Sequence, residues 1–183
     1  LVQAVEWYGR AAEKDDPTGM VYLGLAYLYG EGVDKDLSTA VAWIKASANK
    51  GNALAALHMG HFAYDGNGLP KDLKVAFDWY GKSANAGNAA GMVNYGLMYY
   101  SGDGTSKDLA EAANWIRKSA DLGNADGLYH YATLLFSGEG VAEDRTKAVE
   151  FWKKALANGQ PAANWPLSLR YLYGEGVKED TAQ

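Results

Sequence analysis

His58, His61 and Asp65 are spaced by three and four residues, which places them on one face of a helix. Imidazole nitrogens and a carboxylate in this arrangement are ligands that zinc or nickel accepts. His130 lies 72 residues after His58, which is two steps of the 36-residue period of this sequence. Two steps correspond to about 20 Å at roughly 8–10 Å per packed helix, so His130 cannot be the next ligand. Because the sequence identifies no partner that would orient these ligands, a solvated polar surface is the favoured interpretation and a metal site is the alternative.

Two further strings match motifs of enzymes. Ser47-Ala-Asn-Lys50 fits the Ser-x-x-Lys of penicillin-recognising enzymes, but the Ser-Asp-Asn and Lys-Thr-Gly strings that those enzymes also need are missing. Segments such as Gly30-Glu-Gly32 lack the Lys-Ser/Thr of a phosphate-binding loop, and their acidic side chain would repel phosphate. With no nucleophile and base identifiable as a pair, we predict that the protein is not an enzyme and needs no cofactor.

The composition excludes several other classes. The 183 residues are 48% apolar and 21% charged, and no apolar run approaches the roughly 18 residues of a membrane span. A net charge of −5 argues against nucleic-acid binding, which needs a basic face. Cysteine is absent, so there is neither a disulfide framework nor a thiolate metal site. Glycine is unusually abundant at 22 residues, so backbone positions that need glycine must recur.

The glycines recur with a period of 36 residues. Gly-x-Gly segments begin at residues 30, 66, 102, 138 and 174, without insertion or deletion between them. Four more columns keep the same step: Asp36, Asp72, Asp108, Asp144 and Asp180; Ala4, Ala40, Ala76, Ala112 and Ala148; Trp7, Trp43, Trp79, Trp115 and Phe151; and Gly51, Gly87, Gly123 and Gly159, with Asp15 in the first copy. Self-similarity at this period predicts a stacked array of equivalent structural units.

Each period predicts two helices, A and B, because Asn or Asp caps precede apolar runs with a 3.6-residue period. Helix A should start near residues 17, 53, 89 and 125, and helix B near 37, 73, 109 and 145. Asp108 and Glu111 have the spacing of a capping box. In the last copy, Pro161 and Pro166 predict a kinked or late helix A, with Trp165 displaced from the helical conformation. One repeat domain then comprises a lone B helix (1–15), four A–B repeats (16–51, 52–87, 88–123 and 124–159) and an A helix (160–183).

These columns resemble the Sel-1-like repeat family, a branch of the tetratricopeptide-like solenoids. One copy contains, in the order of the family pattern, Leu23-Gly-Leu-Ala-Tyr27, Gly30-Glu-Gly-Val33, Asp36, Ala40, Trp43-Ile44 and Gly51. The resemblance covers the whole chain and implies an all-α, right-handed superhelical α/α solenoid. Family members look like interaction scaffolds in bacterial envelopes, in secretion and host-cell contact, and in eukaryotic endoplasmic-reticulum quality control. The lack of cysteine excludes the disulfide-bonded subgroup and, with family habit, favours a bacterial exported or envelope-associated protein.

In the family's architecture helix A lines the concave surface, which implies a binding groove on that face. The helix A columns that point away from the core supply the groove residues that we predict: Tyr22, Leu25, Tyr29, His58, His61, Asp65, Asn94, Leu97, His130 and Thr133. Such a mixture of aromatic and polar side chains is typical of recognition surfaces. We therefore predict a scaffold that binds a protein or peptide partner there, with His58 and His61 changing charge around pH 6–7.

Two alternatives to partner binding in the groove stay open. The chain looks like a piece of a longer repeat array, so it could act as a structural module that associates end to end. The expected exposure of Trp7, Tyr8, Tyr171 and Leu172 favours that alternative. Small-ligand or metal binding in the groove is the minor alternative. Nucleic-acid binding and membrane insertion are not expected.

Overall fold

The computed structural model describes residues 1–174, which form ten α-helices, one 3-10 helix and no β-strand. Residues 175–183, with Gly176 and Asp180 of the repeat columns, lie outside the described residues. The α-helices are α1 (Val2–Glu13), α2 (Pro17–Tyr29), α3 (Leu37–Asn49), α4 (Ala53–Asp65), α5 (Leu73–Asn85), α6 (Ala89–Ser101), α7 (Leu109–Asp121), α8 (Ala125–Ser137), α9 (Arg145–Ala157) and α10 (Asn164–Tyr173). The predicted starts of four A and four B helices are confirmed. Within residues 1–174, every helix is too short or too polar to cross a membrane.

The chain divides into two compact units, Leu1–Gly91 and Met92–Gln183. In the first unit α1, α2, α3, α4 and α5 pack in succession, so each A helix contacts the B helix before it and the B helix after it. In the second unit α7, α8, α9 and α10 pack in the same succession. This alternation covers the apolar stripe of each helix, which a single helix could not bury alone.

Side chains at the N-caps fix where the helices begin. The side-chain oxygen of Asn52 accepts a hydrogen bond from the backbone N–H of Ala55 at 2.9 Å. The carboxylate of Asp72 likewise accepts from the N–H of Val75 at 3.0 Å. Each bond satisfies a donor that the first turn of the helix leaves unpaired.

The capping box predicted at Asp108 is only half formed. The carboxylate of Asp108 accepts from the N–H of Glu111 at 3.0 Å, but the N–H of Asp108 donates to the carbonyl oxygen of Tyr99 at 2.9 Å. The same tertiary bond recurs from Asp36 to Tyr27, from Asp72 to Ala63 and from Asp144 to Leu135. The backbone N–H of each capping Asp therefore donates to a carbonyl near the end of helix A. In a capping box, that N–H would instead donate to the side chain at the third helical position, which is Glu111 in the case of Asp108.

The glycine columns that contain Gly30 and Gly51 fall at sites where the backbone is left-handed. Gly30 ends α2 with φ +76°, a conformation that costs glycine little because it has no Cβ atom. Asp15 stands in the column of Gly51 and has φ +67°, the one positive φ of a non-glycine residue in the described chain. Its carboxylate forms an ion pair with Lys50.

Small residues in the column of Gly24 on helix A let helix B approach closely. A Cβ atom at Gly24 would lie 2.6 Å from Cγ1 of Ile44, and one at Gly60 would lie 2.4 Å from the ring of Tyr80. Both opposing side chains are buried, so neither has free space to move into. Close packing of this kind sets the distance between paired helices.

Three serines of the B helices are buried, and the hydroxyls of two of them join paired helices. Ser47, Ser83 and Ser119 have no exposed surface. The hydroxyl of Ser47 donates to the carbonyl oxygen of Pro17 at 2.6 Å, and that of Ser83 donates to Ala53 at 2.7 Å. The Ser47 string that resembles an enzyme motif therefore has a structural role.

The last A helix starts late, as its two prolines predict. Pro161–Ala163 form a 3-10 turn, and α10 begins at Asn164. Pro166 then lies in the first turn of α10, where a backbone donor would have no partner within the helix. The expected displacement of Trp165 was wrong, because this residue lies inside α10.

Candidate functional site

The six predicted groove residues of the first unit lie on two A helices. Helix α2 carries Tyr22, Leu25 and Tyr29, and helix α4 carries His58, His61 and Asp65. Tyr22 and Tyr29 are 42% and 62% exposed, and Asp65 is also exposed. Leu25, His58 and His61 are half-buried, and Leu25 also packs against the apolar core of the unit.

A cleft between α1 and α2 brings the first three of these residues together. This aromatic cleft has a volume of about 330 Å³, and its walls include Val5, Tyr8, Tyr22, Leu25, Tyr29 and Glu31. The rings of Tyr8 and Tyr22 stack with their centroids 5.4 Å apart and an angle of 26° between their planes. Sequence reasoning missed Tyr8 as a cleft residue, because its column holds the buried Ile44, Tyr80 and Ile116 in later repeats.

The histidine pair forms a second group, on α4. The rings of His58 and His61 meet edge to face with centroids 5.9 Å apart, and His61 meets the ring of Tyr80 on α5 at 5.6 Å. Tyr80 is buried, so it supports the pair from the core side. Asp65 follows one turn after His61 and ends α4.

Burial makes these histidines poor proton acceptors. Burial, and after it the nearby charge of His61, lowers the pKa of His58 to about 4. Burial also lowers the pKa of His61, although Asp65 opposes this change. The pKa of Tyr80 is raised by its burial, then by Asp65 and Tyr64. The expected change of charge around pH 6–7 was therefore wrong for His58, because its ring sits deeper than the helical wheel indicates, and the pKa of His61 is displaced in the same direction.

The geometry gives no support to the metal alternative. Within residues 1–174, no group of three or more His, Cys, Asp or Glu side chains is arranged to hold a metal ion. His58, His61 and Asp65 share a helix face, but sharing a face does not make their ligand atoms converge on one point.

The four groove residues predicted in the second unit are partly engaged within the protein. Asn94 and Leu97 lie on α6, and Leu97 packs against the apolar core of this unit. The hydroxyl of Thr133 on α8 donates to the carbonyl oxygen of Tyr129 at 3.1 Å. Burial lowers the pKa of His130, whose ring meets that of Tyr129 at 5.3 Å. Thr133 is exposed, and the other three side chains are half-buried.

Sequence reasoning also missed a row of cations over the aromatic column of helix B. The ammonium group of Lys82 lies 3.7 Å from the ring centroid of Trp79, and Lys118 lies 3.7 Å from that of Trp115. Arg10 likewise lies over the ring of Trp7, and Lys154 lies over that of Phe151. The signal was present as a basic residue three positions after the aromatic one, a spacing that brings side chains together on a helix.

Comparison with known families gives one match over the whole chain. The model for the Sel1 repeat matches in six consecutive copies, over residues 1–16, 17–52, 53–88, 89–124, 125–160 and 161–183. No curated protein matches the sequence.

Solved structures show similar arrangements. The chain is 29% identical to a Sel1 repeat protein from Oxalobacter formigenes, with a TM-score of 0.88, over 99% of this chain and 72% of that one. It is 31% identical to c5321, a protective antigen present in uropathogenic Escherichia coli strains that displays an SLR fold, with a TM-score of 0.88. That match covers 98% of this chain and 38% of c5321. Helicobacter pylori cysteine rich protein B is 24% identical over 75% of this chain and 99% of that one, and its TM-score of 0.57 indicates a likeness of fold alone.

Proposed function

Because the chain belongs to the Sel1 repeat family of α/α solenoids, whose members are generally protein-interaction scaffolds, we propose that it binds a peptide or protein partner on the face formed by its A helices. The exposed tyrosines of α2 carry this proposal. Tyr22 and Tyr29 are 42% and 62% exposed, although they lie on a helix whose opposite side is buried. Rigid aromatic side chains of this kind are common anchors at protein interfaces.

The scaffold supports binding because its groove side chains are held by packing. Tyr22 is stacked on Tyr8, and His61 rests against Tyr80. Side chains that are already ordered lose little conformational entropy when a partner arrives, so more of the contact energy appears as affinity. The histidines contribute as neutral hydrogen-bonding groups near pH 7, since burial lowers their pKa values.

The decisive experiment compares exposed positions on the A helices with one on a B helix against an identified partner. Calorimetry should show that Tyr22→Ala, His58→Ala and Asn94→Ala each weaken binding by about 1–2 kcal/mol. Lys45→Ala on α3 is the matched control, because Lys45 is exposed and lies on a B helix. Lys82 and Lys118 are less suitable controls because each covers an indole ring. If Lys45→Ala weakens binding and the three A-helix variants do not, the proposed face is the wrong one.

Self-association is a second candidate, favoured by exposed tryptophans. Trp7 on α1 is 65% exposed and Trp165 on α10 is 72% exposed, and such large apolar surfaces are common at interfaces. Sedimentation equilibrium at rising protein concentration should then show a mass above that of the monomer. The double variant Trp7→Ala/Trp165→Ala should lower that mass, and an unchanged mass would argue against these contacts.

A further inference from the structure

Two asparagines of the chain precede a glycine, and their surroundings differ. Asn67 and Gly68 lie in the loop between α4 and α5, whereas Asn158 and Gly159 follow the end of α9. An asparagine before a glycine is open to a reaction within the chain, because glycine has no side chain to shield its backbone nitrogen. That nitrogen attacks the side-chain carbonyl carbon of the asparagine, so hydrogen bonds to either group control the rate.

The reacting groups at Asn67 are open to solvent. Both Asn67 and Gly68 are exposed. Within residues 1–174, neither the side-chain amide of Asn67 nor the backbone N–H of Gly68 takes part in a hydrogen bond. The backbone N–H of Asn67 donates to the carbonyl oxygen of Phe62 at 3.2 Å, which ties the loop to α4 without engaging either reacting group. The reaction at Asn67 can therefore start without breaking a hydrogen bond.

The same groups at Asn158 are engaged, although this side chain is exposed too. The side-chain amide of Asn158 donates to the carbonyl oxygen of Gly123 at 2.8 Å. The backbone N–H of Gly159 donates to the carbonyl oxygen of Leu156 at 3.1 Å. The ψ angle of Asn158 is 9°, so the nitrogen of Gly159 eclipses the backbone nitrogen of Asn158. Closing a nearly flat five-membered ring requires it to eclipse Cβ instead, so both hydrogen bonds must break and the backbone must rotate.

We propose that Asn67 is a modification site at which the folded protein deamidates spontaneously, while Asn158 is protected. The nitrogen of Gly68 forms a bond to Cγ of Asn67, and the bond from Cγ to Nδ2 breaks. The Gly68 nitrogen loses its proton to the departing nitrogen, which leaves as ammonia, and a cyclic imide remains. Water then opens the imide at one of its two carbonyl carbons, which gives aspartate or isoaspartate. The net reaction converts one amide and one water molecule into one carboxylate and one ammonium ion.

The loop accommodates the aspartate product. The column of Asn67 holds a carboxylate in the other described repeats, as Glu31, Asp103 and Glu139. Isoaspartate instead lengthens the main chain by one atom, next to the left-handed Gly68, which packs closely on α3. Either product adds a negative charge two residues after Asp65, at the end of α4. The modification does not depend on the proposed function.

The test follows both asparagines in one sample of the whole chain. The folded protein is kept in warm, mildly alkaline H₂¹⁸O, which marks every carboxylate formed before digestion in ordinary water. Trypsin isolates Asn67 in peptide 51–71 and Asn158 in peptide 155–170. Fragment masses locate each conversion, and synthetic peptides with aspartate or isoaspartate identify the product. We expect Asn67 to convert at least about tenfold faster than Asn158, because two hydrogen bonds hold the reacting groups at the slower site.

Unfolding the chain provides the control. In concentrated urea both sites lose their hydrogen bonds, so the two rates should converge. Asn67→Gln should abolish conversion in peptide 51–71, because the longer side chain would have to close a six-membered ring. Asn67→Asp should keep the urea midpoint of unfolding, since its loop accepts a carboxylate.

Several results would overturn the proposal. They are equal rates at the two sites in the folded chain, faster conversion at Asn158, or an unchanged ratio of rates in urea. Absence of conversion at Asn67, over a time in which the free synthetic peptide 51–71 converts, would overturn it as well. A lower urea midpoint for Asn67→Asp would show that the loop does not accept the product. None of these results bears on whether a partner binds the A-helix face.

Discussion

Replacing Gly24 by alanine should destabilise the first unit, even though alanine is the better helix former. In the middle of a helix this change gains about 1 kcal/mol of intrinsic propensity. At Gly24, however, the new Cβ atom would lie 2.6 Å from Cγ1 of Ile44 and 3.1 Å from the carbonyl oxygen of Ala40. Ile44 has no exposed surface, so its side chain has nowhere to move. Overpacking of this kind costs about 1–3 kcal/mol, so the expected net loss is up to about 2 kcal/mol.

Gly9 provides the matched control. It also lies inside a helix, α1, but a Cβ atom there would meet nothing within 4 Å. Gly9→Ala should therefore raise the free energy of unfolding by about 1 kcal/mol. Because both variants share the gain in propensity, the difference between them isolates the cost of the clash.

Urea denaturation followed by far-UV circular dichroism measures both free energies of unfolding, provided that the slope against urea is the same for the two variants. A double-mutant cycle with Ile44→Ala locates the clash, because removing Cγ1 should reduce the cost of Gly24→Ala by about 1 kcal/mol or more. If Gly24→Ala is as stable as Gly9→Ala, the close approach of α2 and α3 does not constrain the helix pair and our reasoning fails.

Three further changes follow from the contacts described. Ser83→Ala removes the buried hydrogen bond to the carbonyl of Ala53 and should lower the free energy of unfolding by about 1 kcal/mol in urea denaturation. Asp15→Gly relieves a left-handed conformation and loses only an exposed ion pair with Lys50, so a rise of about 0.5 kcal/mol is expected by the same measurement. The pKa of His58 is lowered to about 4 by burial, while an unfolded chain has a value near 6.5. The unfolded state therefore binds more protons between these values, so stability should fall as the pH drops through this window, and His58→Gln should flatten that part of the profile.

Each of these expectations has a clear contrary result. Equal stability of Ser83→Ala and its parent would mean that the hydroxyl only fills space. A loss of more than about 1 kcal/mol in Asp15→Gly would mean that the ion pair with Lys50 outweighs the backbone strain. An NMR titration that places the His58 midpoint near 6.5 would contradict the burial of this ring.

The helices were predictable because their boundaries depend on local backbone chemistry. Asn52 and Asp72 cap helices through bonds to residues three positions away, and Gly30 supplies the left-handed turn that ends α2. These requirements act over a few residues, so they appear in every copy of the period. The late start of α10 followed from Pro161 and Pro166 for the same reason.

Contacts between helices were less predictable. Ser47 shares a column with alanines, so its small size was readable but its bond to Pro17, 30 residues earlier, was not. A helical wheel gives the direction of His58 but not its depth, which depends on how closely neighbouring helices pack. The aromatic cleft needed Tyr8 from α1, and its column suggested a core position instead.

The buried serine bonds have a consequence for how the number of repeats changes during evolution. Ser47 and Ser83 each bond to a carbonyl 30 residues earlier, so both partners lie inside the same 36-residue module. Unequal crossing-over between equivalent columns would add or delete a whole module and leave every such bond intact. A crossover inside a B helix and out of phase by one residue would instead rotate the rest of that helix by about 100° and separate its serine from the carbonyl. Recombination therefore favours arrays that lengthen or shorten in steps of 36 codons, in agreement with the constant spacing along this chain.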